Sequence, residues 1–101
     1  MPINIAINGY GRIGRCVLRA LFEAGLQDTV KIVAINELAD DKTIAHLTKY
    51  DSTHGKFLGD VSLDNGHLSI NQQRIRIFHE QDINNLPWHS LKVDLVLECT
   101  G

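Results

Sequence analysis

Read for apolar and polar positions, the chain opens on a short β-branched run. Residues 3–8, Ile-Asn-Ile-Ala-Ile-Asn, have the composition and length of a buried strand. A helical period follows: Ile13, Val17, Ala20 and Ala24 recur at i, i+4, i+7 and i+11, Cys16 and Leu21 widen the stripe, and Gly25 supplies a C-terminal stop. Arg12, Arg15, Arg19 and Glu23 fall outside that stripe, so the three arginines are expected on a solvated helix face. A second apolar run at 30–35 ends in Asn36-Glu37, which makes the opening segment a strand-helix-strand unit with parallel strands and a right-handed crossover.

Asp40 and Asp41 then mark the start of a second, shorter helix through Lys49, with Ile44, Ala45, Leu47 and Tyr50 as its apolar positions. Beyond the loop at 51–55 the period changes from helical to alternating. Residues 57–63, 68–70 and 74–78 are expected as three short strands joined by tight turns at Asp64-Asn65-Gly66 and Asn71-Gln72-Gln73, an antiparallel excursion from the parallel unit. A short turn is expected from Asp82 through Leu86-Pro87-Trp88, and a last strand at 93–97, followed by Glu98-Cys99-Thr100-Gly101.

The stretch Ile-Asn-Gly-Tyr-Gly-Arg-Ile-Gly at 7–14 joins the first strand to the first helix, and each glycine has a distinct physical task there. Gly9 lets the chain reverse directly after a strand, Gly11 leaves no Cβ between the backbone and a ligand phosphate, and Gly14 lets the helix lie against the strand. At the helix N-terminus the backbone N–H groups of Arg12 and Ile13 and the positive dipole end face an anion, a geometry suited to a diphosphate. No Gly-Lys-Ser/Thr follows at phosphate-loop spacing, which favours a dinucleotide over a nucleoside triphosphate. Glu37 stands about 20 residues on, at the end of the second strand, where an acid accepts hydrogen bonds from a ribose. A phosphate on that ribose would meet the Glu37 charge, at a cost of about 4 kcal/mol per charge pair at 4 Å and an effective dielectric near 20, so NAD is expected over NADP, with Lys42 close enough to soften the preference. Asn8 and Asn36 are candidate cofactor ligands too, weighed against turn residues that bond their own backbone.

A net charge of −2 offers no footprint for a nucleic-acid backbone, and no apolar run approaches the length of a membrane span. Cys16 and Cys99 are too few for a disulfide framework and form no zinc-type pair. With no signal segment before the first strand, a cytoplasmic protein with reduced thiols is expected. None of the five histidines, His46, His54, His67, His79 and His89, falls at metal-ligand spacing; His79-Glu80 begins like a zinc-protease motif but has Ile83 where the second histidine belongs. Cys99 follows an apolar strand beside Glu98, a setting that raises a thiol pKa and reads as a structural thiol.

In their order, Ile-Asn-Gly-Tyr-Gly-Arg-Ile-Gly-Arg, Lys-Tyr-Asp-Ser-Thr-His-Gly at 49–55 and the final Glu-Cys-Thr-Gly resemble the N-terminal NAD-binding domain of the glyceraldehyde-3-phosphate dehydrogenase family along the whole chain. Ile-Asn-Glu-Leu-Ala-Asp at 35–40 and the stretch at 86–101 resemble its erythrose-4-phosphate dehydrogenase branch, where glutamate replaces the more usual aspartate. The resemblance implies an α/β fold with a partial Rossmann-type parallel sheet, ending before its second half, and a strand at 93–97 beside the strand at 3–8. It implies backbone contacts from Arg12 and Ile13 to the pyrophosphate, ribose binding by Glu37, and Thr100 and Gly101 beside the cofactor. Where the family commonly has Glu-Arg this chain has Glu80-Gln81, so Gln81 offers only a neutral contact near the adenine. The reaction implied is oxidation of a sugar-phosphate aldehyde through a cysteine thiohemiacetal and thioester, with hydride passing to NAD. The family's Ser-Cys-Thr-Thr nucleophile stretch is not among these residues, so the chain is expected to bind cofactor without catalysing. The resemblance also implies a homotetrameric parent. The last strand's open edge is expected to promote self-association of the chain alone. A free-standing dinucleotide-binding or redox-sensing module is the alternative reading.

Overall fold

The computed structural model describes residues 2–26, 28–51, 55–56, 60–71 and 73–99. Along the chain run β1 (Ile3–Asn8), α1 (Arg12–Glu23), β2 (Val30–Asn36), α2 (Asp41–Lys49), β3 (Tyr50–Asp51), β4 (Gly55–Lys56), β5 (Val61–Asp64), β6 (His67–Ile70), β7 (Gln73–Phe78) and β8 (Leu95–Glu98), with a 3-10 turn at Ile83–Asn85 before β8. One six-stranded sheet has the order β5-β6-β7-β2-β1-β8, and β3 and β4 form a separate two-stranded ladder.

The unit β1-α1-β2 is parallel, with Ile3 opposite Val30 and Asn8 opposite Asn36. On its other side β1 takes β8, also parallel, with Ile5 opposite Leu95 and Asn8 opposite Glu98, the neighbour expected for the last strand. The β5-β6-β7 segment is antiparallel within itself, as expected, and joins the main sheet through β7, which runs parallel to β2. Asn65 and Gly66, both at positive φ (47° and 79°), make the β5-β6 turn as the two central residues of a mirror-image hairpin turn. Of the strand expected at 57–63, residues 57–59 lie outside the described residues, as does Gln72 of the second turn. The expected loop at 51–55 pairs its own ends, Tyr50 with Lys56 and Asp51 with Gly55. The final strand begins at Leu95 rather than 93, because Val93 N–H is held by the Trp88 carbonyl and Lys92 sits at φ 56°.

Helix α1 presents a different face from the one its alanines suggest. Ile13 is 69% exposed, Ala20 and Ala24 are exposed, and Val17, Cys16 and Leu21 are half-buried. Gly14, Leu18, Arg19 and Phe22 are buried instead. The stripe Gly14-Leu18-Phe22 recurs at i, i+4 and i+8, and it carries both the bulkiest apolar side chains and the one residue small enough to touch β1. Arg19, at 4% exposure, therefore leaves the solvated face expected for it, while Arg12 is exposed and Arg15 half-buried. The helix ends as Gly25 implies: at φ 71° its N–H reaches the Phe22 carbonyl, and Leu26 N–H reaches the Leu21 carbonyl.

Helix α2 is capped by Asp40, whose carboxylate accepts from Thr43 N–H at 2.7 Å. It buries Ile44 and Thr48, with Ala45 and Leu47 half-buried and Tyr50 left 45% exposed. Ile5, Ile7, Ile32 and Ile35 of the parallel strands join Leu18, Phe22 and Ile44 of the helices and Leu68, Ile70 and Ile75 of the hairpin in one core.

Candidate functional site

The C-terminal ends of β8, β1, β2 and β7 lie side by side, and the turn at 9–11 crosses above them. Gly9, at φ 89°, adopts a conformation that other residues rarely hold, and its N–H is fixed by the Asn36 carbonyl at 2.8 Å. A Cβ on Gly14 would lie 2.9 Å from the Gly9 carbonyl oxygen and 3.1 Å from Ile7 Cγ2, so glycine is what brings α1 down onto β1. Gly11 differs from both. Its φ of −82° suits any residue, and a Cβ there would meet nothing nearer than the Cys99 carbonyl at 4.0 Å. Neither backbone nor packing demands glycine at 11, which leaves the surface beside the helix start bare.

No side chain caps the start of α1, and its first turn holds no acidic residue, whereas α2 has Asp40 and Asp41 in those roles. The first intrahelical bond is Arg15 N–H to the Gly11 carbonyl, so the N–H groups of Arg12, Ile13 and Gly14 have no acceptor within the helix. Three backbone donors and a helix dipole thus converge beside the bare Gly11, an arrangement that fits a pyrophosphate.

Glu37 stands at the lip of this turn, half-buried. One carboxylate oxygen accepts from Tyr10 N–H at 2.7 Å and the other from Ala39 N–H at 3.1 Å. The acid expected to take a ribose therefore also holds the glycine turn, and each oxygen keeps lone-pair capacity for a hydroxyl. Tyr10 is anchored from its far end too: its hydroxyl lies 2.7 Å from Thr48 Oγ1, which itself donates to the Ile44 carbonyl at 2.8 Å. With the Thr48 proton so used, Tyr10 is the donor, and burial pushes its pKa up to about 12.

Asn8 and Asn36 do not bond their own backbones, as turn residues would. Asn36 donates to Asn8 Oδ1 (2.8 Å) and to the Glu80 carbonyl (2.9 Å) and accepts from Glu80 N–H (2.8 Å); Asn8 donates onward to the Glu98 carboxylate at 2.8 Å. This polar chain ties four strand ends together beneath the turn and uses most of the two amides' bonding capacity. They shape the floor of the site. Gln81 is exposed just past this chain, and Thr100 and Gly101 lie outside the described residues. Cys99 is half-buried; burial and the adjacent Glu98 raise its thiol pKa, opposite to what a nucleophile needs. Among the described residues no group of histidines, cysteines and carboxylates is placed to hold a metal, and no helix is long and apolar enough to cross a membrane.

Beyond Glu37 the lip opens into a cavity of about 600 Å³ lined by Leu38, Asp40, Asp41, Lys42 and His79. Here His79 Nδ1 meets the Glu37 carbonyl and Nε2 the Asp41 carboxylate, each at 2.7 Å. Sequence spacing offers no sign of the histidine, because its partners lie just after β2 and in the first turn of α2.

A bare glycine over an uncapped helix, with an acid at the end of the next strand, is the architecture of a dinucleotide site. The family model for the glyceraldehyde 3-phosphate dehydrogenase NAD-binding domain matches residues 3–101. The chain belongs to that family. As a glyceraldehyde-3-phosphate dehydrogenase NAD-binding domain it takes NAD as cofactor, and its family is one of oxidoreductases. The match spans the hairpin β5-β6-β7 as well as β1-α1-β2, so the sheet extension on β2 belongs to the domain.

Proposed function

We propose that residues 1–101 are the cofactor half of an enzyme that oxidises the aldehyde of a short sugar phosphate, with erythrose 4-phosphate preferred to glyceraldehyde 3-phosphate. In this reading the N–H groups of Arg12 and Ile13 hold the pyrophosphate, the carboxylate of Glu37 holds the adenosine ribose, and Thr100 and Gly101 are further cofactor-binding residues. Bound NAD supplies the hydride acceptor. What supports the cofactor geometry is the Glu37 carboxylate 2.7 Å from Tyr10 N–H, a direct contact between the acid after β2 and the glycine turn. What supports the substrate preference is Glu37 itself, in Ile-Asn-Glu-Leu-Ala-Asp, together with the likeness of residues 86–101 to the erythrose-4-phosphate branch.

The catalytic nucleophile is assigned to no residue here, and the raised pKa of Cys99 argues against giving it that role. Assays of NAD reduction by the full-length protein, with erythrose 4-phosphate and glyceraldehyde 3-phosphate in parallel, are expected to give the higher kcat/KM for the four-carbon aldehyde. A higher value for the three-carbon aldehyde overturns the preference, and no reduction with either overturns the proposed reaction.

A further inference from the structure

His79 lies outside the phosphate turn, yet its two contacts constrain the ribose side of the site. A carbonyl oxygen and a carboxylate can only accept, so each ring nitrogen must donate, and only the imidazolium carries both protons. The ring then joins three segments: β7, which ends just before it; the first residue after β2, through the Glu37 carbonyl; and the first turn of α2, through Asp41. Because Glu37 is the residue whose carboxylate grips Tyr10 N–H, the imidazolium fixes the backbone of the very residue that orders the glycine turn.

We propose that His79 is a positioning residue for the ribose acid: doubly protonated, it ties the Glu37 carbonyl to Asp41, and NAD binds more tightly with that tie made than without it. The inference rests on the reading that Glu37 receives the ribose. Once neutral, His79 keeps a single N–H, and a nitrogen lone pair must face either the carbonyl or the carboxylate. One contact is then repulsive, and the Glu37 backbone loses a fixed point.

The charged groups around the ring are Asp41 and Asp40 at the start of α2 and Lys42 one residue further; Glu80 follows His79 in the chain, and the Glu37 carboxylate is turned to the Tyr10 and Ala39 N–H groups. Partial burial lowers the imidazole pKa, but the Asp41 carboxylate and the Glu37 carbonyl outweigh it, and the net direction is upward from the ordinary value of 6.5. The tie is therefore fully made below about pH 6.5 and is lost as pH rises through the higher folded-state value. With the His79 side chain 41% exposed, solvent keeps the effect modest.

The test is a calorimetric titration of NAD into the protein at several pH values, beside an NMR titration of His79 with and without saturating NAD. The Kd is expected to rise about threefold between about pH 6 and pH 8.5. By reciprocity NAD saturation is expected to raise the His79 pKa by about half a unit. In His79→Asn, which keeps a donor for the Glu37 carbonyl but cannot reach Asp41 as well and cannot titrate, the Kd is expected to be flat with pH and close to the high-pH wild-type value. An unchanged pH slope in His79→Asn, or a His79 pKa unmoved by NAD, overturns the inference while leaving the ribose site standing. Absence of NAD binding at every pH overturns both.

Discussion

Gly14→Ala is expected to destabilise the fold and to weaken NAD binding, reversing the sign that the same change has in an ordinary helix. Alanine is the better helix former by about 1 kcal/mol, so at an open helical position the substitution stabilises. At Gly14 the new methyl would lie 2.9 Å from the Gly9 carbonyl oxygen and 3.1 Å from Ile7 Cγ2, on the strand that α1 packs against. The oxygen belongs to the backbone of the phosphate turn, which cannot swing aside as a flexible side chain does. Overpacking of this kind costs about 1–3 kcal/mol, enough to cancel the helical gain and leave a net loss of about 1 kcal/mol. The helix must also lift from β1, which moves the Arg12 and Ile13 N–H groups relative to Gly9 and Gly11. Loss of NAD affinity by about tenfold or more is expected. Thermal unfolding and NAD titration of the variant check both effects; a raised Tm with unchanged affinity would contradict the packing assigned to Gly14.

Glu37→Gln removes a charge while nearly preserving shape. One amide oxygen can still accept from Tyr10 N–H, but the amide NH2 then faces Ala39 N–H, donor against donor, where an oxygen now accepts at 3.1 Å. Hydrogen bonds to a charged group contribute about 1.5–3 kcal/mol, so an NAD affinity lower by about 10- to 100-fold is expected. NADP should respond differently. Its 2′-phosphate is repelled by the wild-type carboxylate, and with the charge gone the NADP affinity is expected to fall less than that of NAD or to rise. Parallel titrations read this as a smaller NAD-over-NADP ratio in the variant; an unchanged ratio would remove Glu37 from cofactor discrimination.

Much of the local architecture was legible along the chain, because it is written in near-neighbour chemistry. The β-branched run at 3–8, the Gly25 stop, Asp40 as an N-cap and the Asn65-Gly66 turn each depend on a few adjacent residues, and each stands in the structure. In α1 two helical stripes overlap, so the sequence alone does not select the buried face. Counting small and branched apolar residues selects Ile13-Val17-Ala20-Ala24, while packing selects the bulk of Leu18 and Phe22 with Gly14 at the close approach. Ile13 remains exposed at the helix start, beside the open N–H groups.

The Asn8-Asn36-Glu80-Glu98 chain and the His79-Asp41 pair were invisible for a different reason. Their members are far apart in sequence and meet only because β8 and β2 flank β1 while β7 flanks β2. No residue spacing encodes that strand order. The resemblance to the family supplied the place of β8, and the attachment of the hairpin to β2 came from the structure. The same fact explains why neither Asn8 nor Asn36 acts as a turn residue bonding its own backbone: each has its partner on a neighbouring strand.

Calorimetric titration of NAD and of NADP into the folded wild-type protein is the decisive measurement. With Glu37 at the ribose and the uncapped start of α1 at the pyrophosphate, NAD is expected to bind at a single site, and NADP about tenfold or more weaker. Equal affinity for the two dinucleotides, or no uptake of NAD at millimolar concentration by demonstrably folded protein, would contradict it.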